Sequence, residues 1–128
     1  MNESREQRIY KEIRSLTREE VDEMLARADP AELRYLAISV SMFSDDFDWA
    51  QRVCSILAKH GNSTVRGNAV LSFGHLARRF RKLDLNVVEP IYRAALRDAD
   101  EFVRSQAQDM VDDIIYYLAI KHQWPTEN

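Results

Sequence analysis

Along almost the whole chain, apolar positions recur at helical spacing. Ile9, Ile13 and Leu16 stand at i, i+4 and i+7; Val21, Met24, Leu25 and Ala28 keep the same rule, and so do Val53, Ile56, Leu57 and His60. Such spacing puts one side of each segment against a core. Start signals precede several runs. Ser4 with Gln7, Thr17 with Glu20, and Asn86 with Glu89 have capping-box spacing, a side-chain acceptor followed three residues later by Glu or Gln. Pro90 follows the last of these closely, where a missing N–H is tolerated near a first turn. Asp45, Asp46 and Asp48 precede and flank Trp49, where carboxylates complement a helix N-terminus. Only three Gly and three Pro occur in 128 residues, which argues for long helices with short connections and against an all-β fold.

A second, longer period overlies the first. Leu33-Arg34-x-x-Ala37, Val65-Arg66-x-x-Ala69 and Val103-Arg104-x-x-Ala107 are one five-residue pattern. A leucine stands seven or eight positions upstream of each: Leu25, Leu57 and Leu96. Between leucine and pattern lie short polar connections, Ala-Asp-Pro, His-Gly-Asn-Ser and Asp-Ala-Asp-Glu. Each unit therefore reads as a first helix, a tight turn, and a second helix that begins near the aliphatic-Arg pair. The small Ala lets the two helices approach closely, and the Leu and the aliphatic residue fill the space between them.

This pattern resembles the HEAT repeat. Asp100, Val103, Arg104 and Ala107 match it best, and Asn62, Val65, Arg66 and Ala69 match with Asn in the acidic position. The first unit departs from it, with Pro30 in the acidic position and Leu33 for Val. The resemblance covers roughly residues 17–122. It implies an all-α fold, a short right-handed array of about three HEAT-like hairpins (roughly 17–43, 46–82 and 86–122) with an N-terminal helix as a cap. It also implies that the Arg reaches the acidic turn group of a neighbouring repeat. One pair cannot bury its apolar side alone, so about three must stack.

In such stacks the second helices line the surface used for partners. A wheel at 100° per residue puts Val103, Ala107, Met110, Val111, Ile114 and Leu118 inward in the third of them, with Asp109, Asp112 and Tyr116 opposite and Asp113 nearby. In the second, Val65, Ala69, Phe73, Leu76 and Phe80 point inward, against Gly67, Leu71, Gly74 and Arg78. In the first, the outward side offers Tyr35, Ser39 and Met42. The two glycines imply close approach by another backbone, from a neighbouring helix or from a partner. Tyr35, Leu71, Arg78, Asp109, Asp112, Asp113 and Tyr116 are thus the candidate partner-binding residues. The alternative is that the carboxylates and Tyr116 are ordinary solvated surface and that the glycines serve packing within the chain.

Charge sharpens this reading. The net charge of −3 is uneven. Residues 1–43 carry 7 basic and 9 acidic groups, residues 44–82 carry 7 and 3, and residues 83–128 carry 4 and 9, which gives −2, +4 and −5. An acidic C-terminal third disfavours nucleic acid as a direct partner and suits a basic protein. The single Cys54 makes no internal disulfide and falls in an apolar pattern as a small hydrophobe. No signal peptide opens the chain and no apolar run spans a membrane, so the cytoplasm is the expected location.

Candidates for chemistry are few. His60, His75 and His122 lack the spacing of metal ligands; His60 ends a helix, where an imidazolium meets the negative dipole end. His75 lies near the glycine face. Asp45, Asp46 and Asp48 lack the rest of a calcium loop, and Asp109, Asp112 and Asp113 lack an accompanying phosphate site. Arg78, Arg79, Arg81 and Lys82 suit the negative end of a helix, with a phosphate or RNA contact as the alternative. Trp124 follows the last helix as a possible C-terminal cap. No phosphate loop, nucleophile triad or Cys-x-x-Cys is present. The expectation is a non-catalytic protein-binding module without cofactor. Domains of this size and kind resemble bacterial immunity proteins of polymorphic toxin systems, including contact-dependent inhibition, which neutralise a toxin by covering it. A basic nuclease toxin would be a fitting partner, because carboxylates can mimic phosphates. A nucleic-acid or phosphate binder using Arg78, Arg79, Arg81 and Lys82, a general adaptor or assembly factor, and an enzyme or enzyme subunit using His75 with nearby carboxylates are the other readings.

Overall fold

In a computed structural model that describes Ser4 and residues 12–120, the apolar spacing folds as helix. Among the described residues there are α1 (Arg18–Arg27), α2 (Pro30–Leu33), α3 (Leu36–Phe43), α4 (Phe47–Leu57), α5 (Ser63–Phe80), α6 (Leu85–Leu96) and α7 (Glu101–Leu118), and no strand. Six of these are helices of eight residues or more, and α2 is a single turn. The expected N-terminal helix, the Ser4–Gln7 cap, His122 and Trp124 lie wholly or partly outside the described residues.

Short polar side chains start the helices. Thr17 and Glu20 form a reciprocal capping box on α1, and Asp29, Asp46, Asn62, Asp84 and Asp100 each accept a backbone N–H of the helix they precede. Each such cap contributes about 1 kcal/mol. The cap of α6 is Asp84 and not Asn86, whose own N–H donates to the Asp84 carboxylate; Glu89 instead pairs with Arg93 one turn on. Pro90 consequently sits inside α6, well past the first turn.

Three further expectations give way. The backbone of residues 13–17 is not helical, so Leu16 packs on the core from an irregular segment. Ala28 is not a core residue; it is exposed and closes α1 with a left-handed φ of 54°. The Leu33-Arg34 pair does not open a continuous helix, because the chain breaks at Tyr35 and restarts at Leu36. The break is tolerated because the orphaned Arg34 carbonyl accepts a 2.8 Å hydrogen bond from the buried Asn68 amide.

The centre of the molecule is α5. Its Val65, Ala69, Phe73 and Leu76 are essentially inaccessible, as expected, and it packs against α3, α4, α6 and most extensively α7. On α7, Val103, Ala107, Met110 and Ile114 are fully buried, Val111 nearly so, and Leu118 half-buried at the end. Val53 and Leu57 of α4 are buried, but Ile56 is exposed. Cys54 is enclosed, its thiol pushed up to about 12 by burial. Thus α3, α5 and α7 follow one another in contact, with α4 and α6 packed against them. Among the described residues no helix is long and apolar enough to cross a membrane.

Candidate functional site

The outward side of α7 carries the carboxylates. Four acidic residues and one Arg between Glu101 and Leu118 leave it a charge of −3. The backbone aims three of those acids differently. Asp109 and Asp112 are exposed, and the charge of Asp112 is felt by Tyr92 of α6, whose hydroxyl is raised above its ordinary value chiefly by burial. Asp113 leans the other way, onto α5, with its carboxylate above Gly74. Tyr116 is 75% exposed, its ring edge-on to Tyr117 at 4.9 Å.

The two glycines of α5 are explained within the chain. A Cβ on Gly67 would meet the Phe102 ring at 2.5 and 2.6 Å, and one on Gly74 would meet the Asp113 carboxylate at 2.8 Å. Side chains of α7 fill the notches; neither another backbone nor a partner is needed to account for them. This offsets the cost of about 1 kcal/mol that each interior glycine carries relative to alanine. Leu71, between them, is half-buried.

Phe102 was not among the residues singled out from the pattern. It is 39% exposed although its neighbour Val103 is at the core. The wheel contains the signal: Phe102 lies seven residues, two turns, before Asp109 on the same side of the helix. Beside it opens a groove of about 350 Å³ lined by Tyr35, Thr64, Asn68, Phe102 and Gln106. Tyr35 is thereby brought to the N-terminal end of α7, while Tyr116 stands near the other end, about 21 Å from Phe102 at 1.5 Å per residue.

Ser39 leaves this surface. It is buried, and its hydroxyl bonds the Glu12 carbonyl and the Arg14 N–H. The cations closing α5 are largely engaged too. Arg79 donates to the carbonyls of Ser41 and Ser44 at 2.8 Å each, Arg81 lies over Tyr117, and Lys82 over Phe47. Arg78 is exposed. It neighbours His75, whose imidazole is held below its ordinary value by burial first and by the Arg78 charge second, with Asp113 opposing both. His60 lies just past the end of α4, where its Nδ1 accepts the Asn62 N–H at 2.9 Å. Among the described residues no three His, Cys, Asp or Glu side chains gather where they could hold a metal.

A second groove, of about 390 Å³, lies between α5 and α6 beside the turn that follows α4, with Val70, Val87, Pro90 and Ile91 among its walls and the Arg66–Asp98 pair at its edge.

No family model and no curated protein matches this chain. A solved structure does. It is a chain of the crystal structure of a CDI complex from Cupriavidus taiwanensis LMG 19424, 28% identical and superposing with a TM-score of 0.69. The match covers 80% of this chain and 91% of that one. Likeness over nearly the whole of that chain means that the shared feature is the complete helical arrangement and not one hairpin within it.

Proposed function

We propose that this chain is a non-catalytic protein-binding domain that acts as an immunity protein, neutralising a cognate toxin by covering it. The observation that carries the reading is the likeness, at 28% identity and over 80% of this chain and 91% of the other, to a chain of a CDI complex. In this reading CDI is contact-dependent inhibition, and the fold is a right-handed array of about three HEAT-like hairpins, roughly 17–43, 46–82 and 86–122. The contact order of α3, α5 and α7 supports that arrangement. So does Arg66, which reaches the α6–α7 turn through two bonds of 2.7 and 2.8 Å, although to Asp98 and not to the Asp100 of the pattern.

The toxin-facing surface is the α7 side, with Tyr35, Leu71, Arg78, Asp109, Asp112, Asp113 and Tyr116. Its partner is a basic protein, and a nuclease suits it because carboxylates can mimic nucleic-acid phosphates. The domain works in the cytoplasm, without cofactor.

In this reading the gene immediately upstream encodes the toxin, and the test is binding to the C-terminal domain of that gene's product. Asp109→Asn with Asp112→Asn should slow association about tenfold at low salt, and the difference should shrink as salt rises, because steering by exposed charges is screened. Equal association rates at low salt would remove these aspartates from the surface. Failure of the unaltered chain to bind, or to protect cells expressing that domain, would remove the immunity reading.

A further inference from the structure

The carboxylates account for attraction to a basic partner but do not fix how it is seated. The groove between Tyr35 and Phe102 can. Both of its walls are held by the chain itself. The Phe102 ring rests in the notch left by Gly67, where any Cβ would displace it. The Tyr35 ring carries the Arg34 guanidinium 4.9 Å from its centre, and Arg34 is in turn paired with Glu12. The residues lining the groove, Thr64, Asn68 and Gln106 besides the two rings, are all uncharged. A charged side chain entering there would lose water without gaining an ion pair. An apolar one would bury its surface against the Tyr35 and Phe102 rings, with hydroxyl and amide groups also lining the groove for the backbone that carries it.

We infer that Phe102 is the anchor of the toxin-binding surface: seated on Gly67, it forms with Tyr35 a slot that receives one apolar side chain from a basic protein surface. This rests on the immunity reading, and it adds the position that sets the register of docking. Complementarity of charge identifies the occupant, because the α7 face that continues from the slot holds the exposed Asp109 two turns on, within a helix of net charge −3. The partner's apolar side chain is therefore surrounded by Lys or Arg. A pre-positioned aromatic at the edge of a fitted slot is the kind of residue in which binding energy concentrates.

The experiment is a double-mutant cycle. Binding kinetics to the upstream-encoded C-terminal domain are measured for the unaltered chain, Phe102→Ala, Gly67→Ala and the double variant, each checked for helix content. Phe102→Ala should weaken binding about 30-fold or more, almost entirely through faster dissociation. Gly67→Ala, which keeps the ring but unseats it, should weaken binding about tenfold. Once the ring is gone the methyl has nothing to displace, so the double variant should match Phe102→Ala within about twofold. Phe102→Ala binding like the unaltered chain, or a Gly67→Ala effect that persists without the ring, would overturn the slot while leaving the immunity reading in place. No binding by the unaltered chain would remove that reading, and the slot with it.

Discussion

Asp98 holds the turn between α6 and α7 closed. Its carboxylate takes both bonds from Arg66 and a third from the Asp100 N–H, while its carbonyl accepts from Arg104 at 2.7 Å. Arg66 also donates to the carbonyls of His60 and Gly61, so one guanidinium ties the α4–α5 turn to the α6–α7 turn. Both side chains are mostly buried, at 21% and 13% exposure. Arg66→Ala should therefore cost about 2 kcal/mol in a urea titration, more than an exposed pair would. The Arg66 bonds hold the Asp98 carboxyl below its ordinary 3.8. The stability this contributes is complete above that value and is lost as pH falls through the lower folded value. His75 adds a second window. Its folded value lies below the ordinary 6.5, so the unfolded chain binds the proton more readily and stability falls as pH drops below 6.5. The melting midpoint should decline between about pH 7 and 5.5, and His75→Gln should flatten that decline; an unchanged slope would place its origin elsewhere.

At the scale of elements, α6 is the helix least suited to its own sequence. Pro90 occupies its interior, where it supplies no N–H to the carbonyl of Asn86 and is exposed along the second groove. Pro90→Ala should raise stability by about 1–2 kcal/mol, the recovered helix term being offset in part by a freer unfolded chain; equilibrium denaturation measures it directly. The helix ends were legible in the sequence where a local rule decides them. Thr17 with Glu20, and Asp46 before Trp49, act as read. Asn86 with Glu89 has equally good spacing and fails, because Asp84 stands two residues earlier and takes the capping role first. The inward faces of α5 and α7 were likewise legible, since periodicity alone separates Phe73 and Met110 from Leu71 and Asp109. The break at Tyr35 was not, because the group that makes it tolerable is Asn68, 34 residues away. For the same reason the glycines could be recognised as notches, but not what would fill them, and Phe102 passed for a flank of the core position beside it.

At the scale of the molecule, the described residues hold a row of three contacting helices, α3, α5 and α7, whose chemistry changes along it. At one end α7 is amphipathic and acidic. At the other, α3 has no charged residue at all, and six of its eight positions, Leu36 to Ser41, are buried. Only tertiary contacts make such a segment helical, and its C-terminal carbonyls show how. The carbonyls of Ser41 and Ser44 are satisfied by Arg79, which comes from the far end of α5. Arg79 follows Phe43 by 36 residues. At about 5–20 residues per second on the ribosome, that delay lasts roughly 2–7 s. Throughout it, Leu-Ala-Ile-Ser-Val-Ser-Met-Phe is a neutral, β-prone octapeptide with no Pro and no charge, the composition that pairs into cross-β assemblies when left uncovered. Translation, and not the finished fold, is therefore where this protein is most exposed to aggregation, and a nascent chain arrested before residue 79 should be a far stronger chaperone client than one released beyond it.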